Sequence, residues 1–531
     1  MKMNKSKLQN WLELGLIIIL VVVLSLSALS AANPINNAPG RDGGFFNYVG
    51  KALNSGAILY QDIWDSKGPM IFWINALGMG NQFSRWGVYL IEILFWGAAL
   101  FIAYLTIKKQ YGLLPALGTV FVGHALFNTV IGPGNATEEY TLLFTWIAIG
   151  ALVLFIAKPT KPFMPFFLMG TVIVFNFLLR ANNIGTQAMV ILVALIYAII
   201  NKKEVKIWQA FLFLFIGIAI ILIPVIIYFA IQGTLKAMLD ASIFYNFHYS
   251  LSRGNPFSNS WQPTVTLFGW WNTVFLGIWL IVFVIFIVRA FKKIFDPFLL
   301  LIILAFPIEI LMSSISGRGY QHYFICWVPI CMLLFAFTFS VMRKEVISKK
   351  FQELCESKHT VPVLAIILVI VMIPSFNAVD KSLSYIHASI RKVNYRLEFR
   401  EPVAKVINDL TTETDKVLVF GGQAGINIMA ERDSINTALF YPNINDSDIG
   451  IAIQSHFFSA LKTSKPKLII DGYRFFPQEL PAIDPNDRAN QRLLYKPSRN
   501  VDRVLEWINT NYKKYDEAND YIIYMLKDEN P

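Results

Sequence analysis

Long apolar runs separated by short polar connections fill the first 378 residues of the chain. A helix that crosses a bilayer needs about 20 predominantly apolar residues, and the sequence contains eleven stretches of this kind. They run over residues 11–32, 86–107, 113–131, 139–157, 163–179, 184–200, 208–231, 266–288, 296–313, 322–341 and 361–378. The pattern therefore predicts a polytopic α-helical membrane protein with about eleven transmembrane helices.

A different pattern begins near residue 379. Amphipathic stretches at 400–411 and 501–512 alternate with short apolar runs, which is typical of helices alternating with strands. The strand-like runs are Val417–Phe420, Leu468–Asp471 and Tyr521–Met525. We therefore predict two domains, a transmembrane domain of residues 1–378 and a small α/β domain of residues 379–531.

Basic residues are concentrated in alternate connections between the predicted spans. Six of these connections hold 18 Lys and Arg, whereas the intervening loops, which are about twice as long in total, hold 8. Because loops rich in Lys and Arg stay in the cytoplasm, we expect a cytoplasmic N-terminus. An odd number of spans then places the α/β domain outside the cytoplasm. The first apolar run could also be a cleaved signal peptide, although it is long for one.

Composition agrees with a membrane protein and narrows the function classes. Apolar residues make up 55% of the chain and charged residues only 15%, too few for an ordinary soluble globule. The net charge of +11 comes from residues 1–378, with 26 basic and 14 acidic side chains, whereas residues 379–531 hold 20 and 21. Basic residues that flank membrane spans explain this excess, so we expect contacts with membrane lipids and no nucleic-acid binding.

The loop of residues 33–85 is too long and too polar to be a simple connection. Phe46, Val49, Leu53 and Tyr60 are spaced as on an amphipathic helix, which we expect to lie on the membrane surface. The chemistry-bearing side chains of this loop are Arg41, Asp42, Tyr60, Asp62, Asp65 and Lys67. From spacing alone, these charges could simply solvate the loop.

Two further connections on the same predicted side carry ionisable residues close to the mouths of spans, where such groups are costly and usually functional. The first contains Glu138 and Glu139, and the second contains Arg318 and His322. His248 lies in a third loop among aromatic residues, where it could contact a sugar or belong to an interfacial belt.

Carboxylates and cations at the outer face of a membrane suit the transfer of a sugar from a lipid-linked phosphate. A carboxylate can accept a proton from the acceptor, and a fixed cation can stabilise the departing phosphate. The sequence of the long loop also resembles a known family. It contains Arg41-Asp42-Gly43-Gly44, then Tyr60-x-Asp62-x-Trp64-Asp65-x-Lys67-Gly68-Pro69, followed by Asn75-Ala76-Leu77-Gly78.

These motifs resemble the first outer loop of bacterial glycosyltransferases that use polyprenyl-phosphate sugars, the family 39-like enzymes related to protein O-mannosyltransferases and lipid A aminoarabinose transferase. The stretches around Glu138 and His322 are similar to later signatures of the same enzymes. The resemblance implies a GT-C fold, a polyprenyl-phosphate sugar donor and an extracytoplasmic glycan, teichoic acid, lipid or protein acceptor. Eukaryotic protein mannosyltransferases have Asp-Glu where this chain has Asp42-Gly43, which disfavours protein mannosylation.

The resemblance also implies roles for particular residues. Asp42 corresponds to the general base or acceptor-orienting aspartate, and Glu138, with Glu139 as the alternative, to an assisting acid. Lys67 corresponds to a donor-phosphate ligand, and we expect Arg318 and His322 to add further phosphate contacts. Direct displacement with inversion is the expected chemistry. A divalent cation could bind among the four carboxylates Asp42, Asp65, Glu138 and Glu139.

Two other functions fit a polytopic protein of this kind. A transporter or flippase of lipid-linked sugars would show two related halves with broken helices at mid-membrane, and no such repeat stands out. A polysaccharide ligase would concentrate Arg and His in a large late loop, whereas this chain places its charges in the first loop.

Overall fold

The computed structural model describes most of the chain. The described residues are 5–35, 37–246, 270–315, 320–346, 402–435, 448–493 and 499–527, with seven isolated positions between 362 and 383. They belong to two compact units. The first unit comprises Met1–Ala31, Ile91–Ile227 and His248–Tyr395, and the second comprises Ala32–Leu90, Tyr228–Phe247 and Arg396–Pro531. The predicted boundary between residues 378 and 379 stays a prediction.

Thirteen α-helices occupy the described part of the first 346 residues. They are α1 (Lys5–Ala28), α2 (Arg41–Asn54), α3 (Pro69–Met79), α4 (Trp86–Tyr111), α5 (Leu113–Val130), α6 (Thr137–Ala157), α7 (Phe163–Leu179), α8 (Gly185–Ile200), α9 (Ile207–Ile231), α10 (Leu235–Leu239), α11 (Trp270–Phe291), α12 (Pro297–Ser314) and α13 (Val328–Val346).

The predicted membrane architecture is confirmed. Among the described residues, nine helical segments are long and apolar enough to cross a membrane, and α3 and α7 are shorter apolar helices. Ten of the eleven predicted spans coincide with one of these segments or with α7, with ends that differ by a few residues. The eleventh, residues 361–378, lies mostly outside the described residues. The chain is therefore a multi-pass membrane protein.

Glycines let neighbouring helices of the first unit approach closely. A Cβ added to Gly170 of α7 would lie 2.2 Å from the carbonyl oxygen of Leu214 in α9. A Cβ added to Gly217 of α9 would lie 2.1 Å from the carbonyl oxygen of Phe167 in α7. Lipid supplies little hydrophobic force between helices, so close packing of small residues is what joins them.

The predicted helix in the long loop is present as α2, but it ends at Asn54 and does not include Tyr60. The expected environment of its apolar face was also wrong. Phe46 and Val49 are buried within the protein, and α2 packs against α3. The rings of Phe46 and Phe72 lie 5.8 Å apart in an edge-on contact. Gly50 permits this approach, since a Cβ there would lie 2.5 Å from the Asn75 carbonyl carbon. The apolar face of α2 thus packs against α3 and not against lipid, and this packing holds the helix in place.

The C-terminal region forms the predicted α/β structure. Its elements are α14 (Pro402–Leu410), β1 (Val417–Phe420), α15 (Gly425–Ala430), α16 (Asp448–Ser464), β2 (Leu468–Asp471), α17 (Pro485–Ala489), α18 (Arg499–Asn511), β3 (Tyr512–Ala518) and β4 (Tyr521–Leu526). The strand order is β1-β2-β4-β3, with β1 parallel to β2 and β4 antiparallel to both of its neighbours. Buried aliphatic side chains of α14, α15 and the strands form its core.

Three of the four strands were predicted from their apolar runs. The pattern missed β3 because this edge strand exposes five consecutive residues, Lys513 to Glu517. Charged side chains on an edge strand protect it from pairing with other chains. The turn after β1 leads directly into α15, and its glycines are required because Gly421 and Gly422 have φ values of +120° and +77°.

Candidate functional site

Asp42 lies in the first turn of α2, within the second unit. A carboxylate is favoured there because the unsatisfied amides of a helix N-terminus carry partial positive charge. Its side chain is half-buried and interacts electrostatically with Asp65. Asp42 therefore lies close to the Asp65 carboxylate. The residues that follow it in α2 are buried in the protein.

Asp65 and Lys67 form a compact turn just before α3. The backbone N–H of Lys67 donates to Oδ1 of Asp65 at 2.9 Å, and Nζ of Lys67 lies 3.5 Å from the same oxygen. Nζ also lies 5.4 Å from the centre of the Phe46 ring. Burial raises the pKa of Asp65, Lys67 lowers it, and the nearby Asp42 raises it. Asp42, Asp65 and Lys67 thus form one interacting group, which we call the acid–lysine cluster.

Tyr60 and Asp62 shape the loop that leads to this cluster. The Tyr60 hydroxyl donates to the carbonyl oxygen of Lys67 at 2.7 Å, and burial raises the pKa of Tyr60. The Asp62 carboxylate accepts the N–H of Ile58 at 2.7 Å. Both side chains therefore bond to backbone groups of their own loop, and so they stabilise its turns.

A segment of the same unit supports the turn from a distant part of the sequence. The Asn246 amide donates to the carbonyl oxygen of Ser66 at 2.8 Å, and the Trp64 and Tyr245 rings lie 4.8 Å apart. Asn246 follows a short π-helix, Asp240–Phe244, a conformation frequent at functional sites. The sequence pattern gave no sign of this support.

Arg41 makes its contacts with the C-terminal domain. Its guanidinium lies 3.9 Å from the centre of the Phe476 ring and 3.5 Å from the Glu479 carboxylate. Arg41 therefore ties the start of α2 to the segment that follows β2.

Glu138 belongs to the first unit, at the start of α6. Its buried carboxylate forms an ion pair with Arg180 and accepts the Thr137 hydroxyl at 2.8 Å. The Arg180 guanidinium also lies 4.0 Å from the centre of the Tyr323 ring. His322 interacts electrostatically with Glu138, and its ring lies 4.7 Å from that of Tyr323. The structure thus brings Glu138 and His322 together.

Glu139 has a different environment, although it is adjacent in sequence. It is fully buried, and its Oε2 accepts the backbone N–H of Ala136 at 3.4 Å. Its charged neighbour is Glu92 of α4, whose own carboxylate accepts the N–H of Asn135. Tyr140 completes the group by donating to Oδ1 of Asn135 at 2.8 Å. Glu138 therefore has a compensating cation, whereas Glu139 has an acidic neighbour.

Three residues of these groups were not assigned from the sequence. Arg180 follows the end of the predicted span 163–179. Tyr323 was hidden in an aromatic stretch. Glu92 could have been noticed, because a carboxylate within an apolar span usually has a specific partner. Arg318 and His248 lie outside the described residues.

Glu309 caps a helix from a neighbouring one. It is buried in α12, and its Oε1 accepts the N–H of Thr186 at 2.5 Å, in the first turn of α8. Gly185 is required here, since a Cβ would lie 2.9 Å from Oε1 of Glu309. The same connection carries Arg180, so Glu309 helps fix the chain that pairs with Glu138.

Within the described ranges, no group of three or more His, Cys, Asp or Glu side chains could hold a metal ion. The assistance of a divalent cation stays a prediction.

Asp471, at the end of β2, organises the segment that contacts Arg41. Its carboxylate accepts the N–H groups of Tyr473 and Ile483 at 3.0 and 2.9 Å. Burial nevertheless raises the pKa of Asp471 to about 7. The unfolded chain has an ordinary carboxyl pKa of about 3.9.

This shift predicts a pH dependence of stability. Between pH 4 and pH 7 the folded domain keeps a proton that the unfolded chain releases, so the free energy of unfolding falls as the pH rises through this window. Pulse proteolysis of the full-length protein in urea should show a lower midpoint at pH 7.5 than at pH 5. Asp471→Asn should reduce that difference, and an unchanged difference would contradict the assignment.

The fold and part of the sequence match known proteins. Residues 66–228 match the family model described as dolichyl-phosphate-mannose-protein mannosyltransferase. Among solved structures, ArnT from Cupriavidus metallidurans bound to undecaprenyl phosphate is similar, with a TM-score of 0.57 and 10% identity over 97% of this chain and 98% of that chain. No curated protein sequence matches the chain.

A weaker likeness links the chain to the Archaeoglobus fulgidus oligosaccharyltransferase tethered with an acceptor peptide. It has 10% identity and a TM-score of 0.45 over 87% of this chain and 69% of that chain, which is too low to identify a shared fold. The likeness to ArnT spans both chains almost completely and confirms the predicted fold. The chain is therefore a membrane protein with the GT-C fold, and residues 66–228 match the family model named above.

Proposed function

We propose that this protein is a membrane glycosyltransferase that moves a sugar from a polyprenyl-phosphate donor to an extracytoplasmic acceptor. The acid–lysine cluster carries the proposal, because it combines a candidate base, Asp42, and a cation, Lys67, in one interacting group. The fold supports the donor class, since ArnT was solved with undecaprenyl phosphate. The family description, which contains dolichyl-phosphate-mannose, supports the same class.

The proposed reaction is a single displacement. The acceptor oxygen or nitrogen forms a bond to the anomeric carbon while the bond from that carbon to the phosphate oxygen breaks. Asp42 takes the acceptor proton, and polyprenyl phosphate leaves with the bonding electrons. Lys67 stabilises the charge that grows on the phosphate. One base and one cation suffice for this single displacement. Because the acceptor attacks the face opposite the departing phosphate, the anomeric configuration inverts.

Glu138 is the better candidate for the assisting acid of the second outer loop. Arg180 compensates its charge, so a carboxylate can persist there despite burial. We assign Glu139, which faces Glu92, to the packing of α6 against α4. Arg318 and His322 stay candidate phosphate ligands.

The proposal includes a membrane orientation. The N-terminus is cytoplasmic, and the first long loop and the α/β domain face the outside, where donor and acceptor meet.

The acceptor is a cell-envelope polysaccharide, a teichoic acid, a lipid or a protein. Compositional analysis of envelope glycans from cells with and without the protein tests this, because loss of one sugar from one polymer identifies both substrates. Unchanged composition of glycans, lipids and proteins would contradict the proposal.

Removal of the Lys67 charge should weaken use of the donor. Lys67→Met deletes a charge-assisted contact of about 1.5–3 kcal/mol, so kcat/KM for the polyprenyl-phosphate sugar should fall by about 10- to 150-fold. Lys67→Arg should retain part of the activity. Lys236→Met is the matched control, since Lys236 is 87% exposed and pairs only with Asp240 in the described structure. Equal activity of the Lys67 and Lys236 variants would exclude the phosphate role.

A further inference from the structure

We infer that the C-terminal domain positions the proposed catalytic base. Its helix α15 and the adjoining segments fix the position of α2 and hence of Asp42. Gly44 and Gly425 are the positioning residues of this contact. The inference rests on the proposed role of Asp42 and adds a role for the C-terminal domain, which the sequence leaves unassigned.

The two helices meet backbone to backbone. A Cβ added to Gly44 would lie 2.8 Å from Cα and 2.9 Å from N of Gly425. A Cβ added to Gly425 would lie 2.6 Å from Cγ of Pro39. Neither site has a flexible side chain that could move aside. A methyl group on Gly44 must therefore push α2 and α15 apart, and a methyl group on Gly425 must displace Pro39, two residues before α2. Gly44 is two residues from Asp42, in the same turn of the helix.

Contacts to the C-terminal domain follow one face of α2. They come from Arg41, Gly44, Tyr48 and Lys51, and intervals of three and four residues place these positions on the same side of a helix. Tyr48 accepts the N–H of Ser434 through its hydroxyl oxygen at 2.7 Å, in a buried hydrogen bond. Lys51, with 8% of its side chain exposed, forms an ion pair with Asp433.

The contacts at both ends of this face restrain the helix. Arg41 anchors the first residue through Phe476 and Glu479, and Lys51 anchors the last turn through Asp433. A proton acceptor must lie within hydrogen-bond reach of the acceptor hydroxyl or amine. A displacement of about 1 Å from a productive geometry can cost about 100-fold in rate. The domain thereby sets the reactivity of Asp42 without touching the substrate.

The test compares two Gly→Ala substitutions in the full-length protein. In Gly425→Ala, kcat for transfer from a polyprenyl-phosphate sugar should fall by about 10- to 100-fold, with a smaller change in KM because Lys67 lies on another segment. Gly277→Ala is the control, because a Cβ there meets nothing within 4 Å. Hydrogen exchange of residues 41–54 should become faster in Gly425→Ala and stay unchanged in Gly277→Ala.

The exchange measurement does not require activity, so it separates this inference from the proposed function. Unchanged exchange of residues 41–54 in Gly425→Ala overturns the positioning role, and so does an unchanged kcat. Absence of transfer by the unmodified protein counts against the proposed function instead. If Gly425→Ala does not accumulate in membranes, Tyr48→Phe tests the same contact, because it removes the oxygen that accepts the Ser434 amide. It should show the same two changes at smaller size.

Discussion

Replacement of Asp42 by asparagine is expected to lower kcat for sugar transfer by about 10²- to 10⁴-fold, the range that a general base contributes. Asparagine has nearly the same shape as aspartate and can occupy the first turn of α2. Its neutral amide, however, is too weak a base to take the proton from the acceptor hydroxyl or amine. The variant should therefore accumulate in the membrane at the normal level. Single-turnover transfer from a polyprenyl-phosphate sugar measures the chemical step directly.

Asp62→Asn is the matched control for this substitution. Asp62 lies in the same loop, but its carboxylate accepts the Ile58 amide and shapes a turn. An asparagine oxygen can accept the same hydrogen bond, so transfer should stay within a few-fold of normal. Equal losses of transfer activity in the two variants would contradict the role of Asp42 as the base, because removal of either negative charge from the loop would then have the same effect.

Removal of Arg180 is expected to give the largest loss of stability. Arg180→Ala would leave Glu138, which is 1% exposed, as a buried charge without its ion-pair partner. Breaking a buried pair from one side typically costs about 3–5 kcal/mol. Thermal unfolding in detergent, together with the amount of protein in the membrane, should show this loss.

Two companion variants define the cause of that loss. The double variant Glu138→Gln/Arg180→Met removes both charges and should be more stable than Arg180→Ala, because no uncompensated charge remains. Arg289→Ala breaks the more exposed pair with Asp296 and should cost only about 0–1 kcal/mol. A double variant that is less stable than Arg180→Ala would contradict the explanation.

The membrane helices and three of the four strands could be predicted because each is set by local sequence. Bilayer thickness dictates the length of an apolar run, and a buried strand such as Leu468–Asp471 needs only consecutive apolar residues.

Several partners of the site residues could not be predicted, because they are distant in sequence. Arg180 meets Glu138 across a separation of 42 residues, and Lys51 meets Asp433 across 382. Only the packing of helices and of the α/β domain creates these pairs. The same reason explains α2, whose apolar face suggested a membrane surface although it is buried by α3 and the protein around it.

The spacing of Arg41, Gly44, Tyr48 and Lys51 was present in the sequence, but its meaning needed the structure. A helix face that mixes a glycine with two cations and a tyrosine matches no simple amphipathic pattern. Its residues became interpretable once their partners in the C-terminal domain were known.

The most direct test of the account is to reconstitute the purified protein in liposomes with a polyprenyl-phosphate sugar labelled in both the sugar and the lipid, together with an envelope extract as acceptor. We expect labelled polyprenyl phosphate to appear in step with labelled sugar on the acceptor, and Asp42→Asn to slow both by about 10²- to 10⁴-fold. Movement of the intact donor across the bilayer without cleavage of its sugar–phosphate bond would contradict it and identify a flippase.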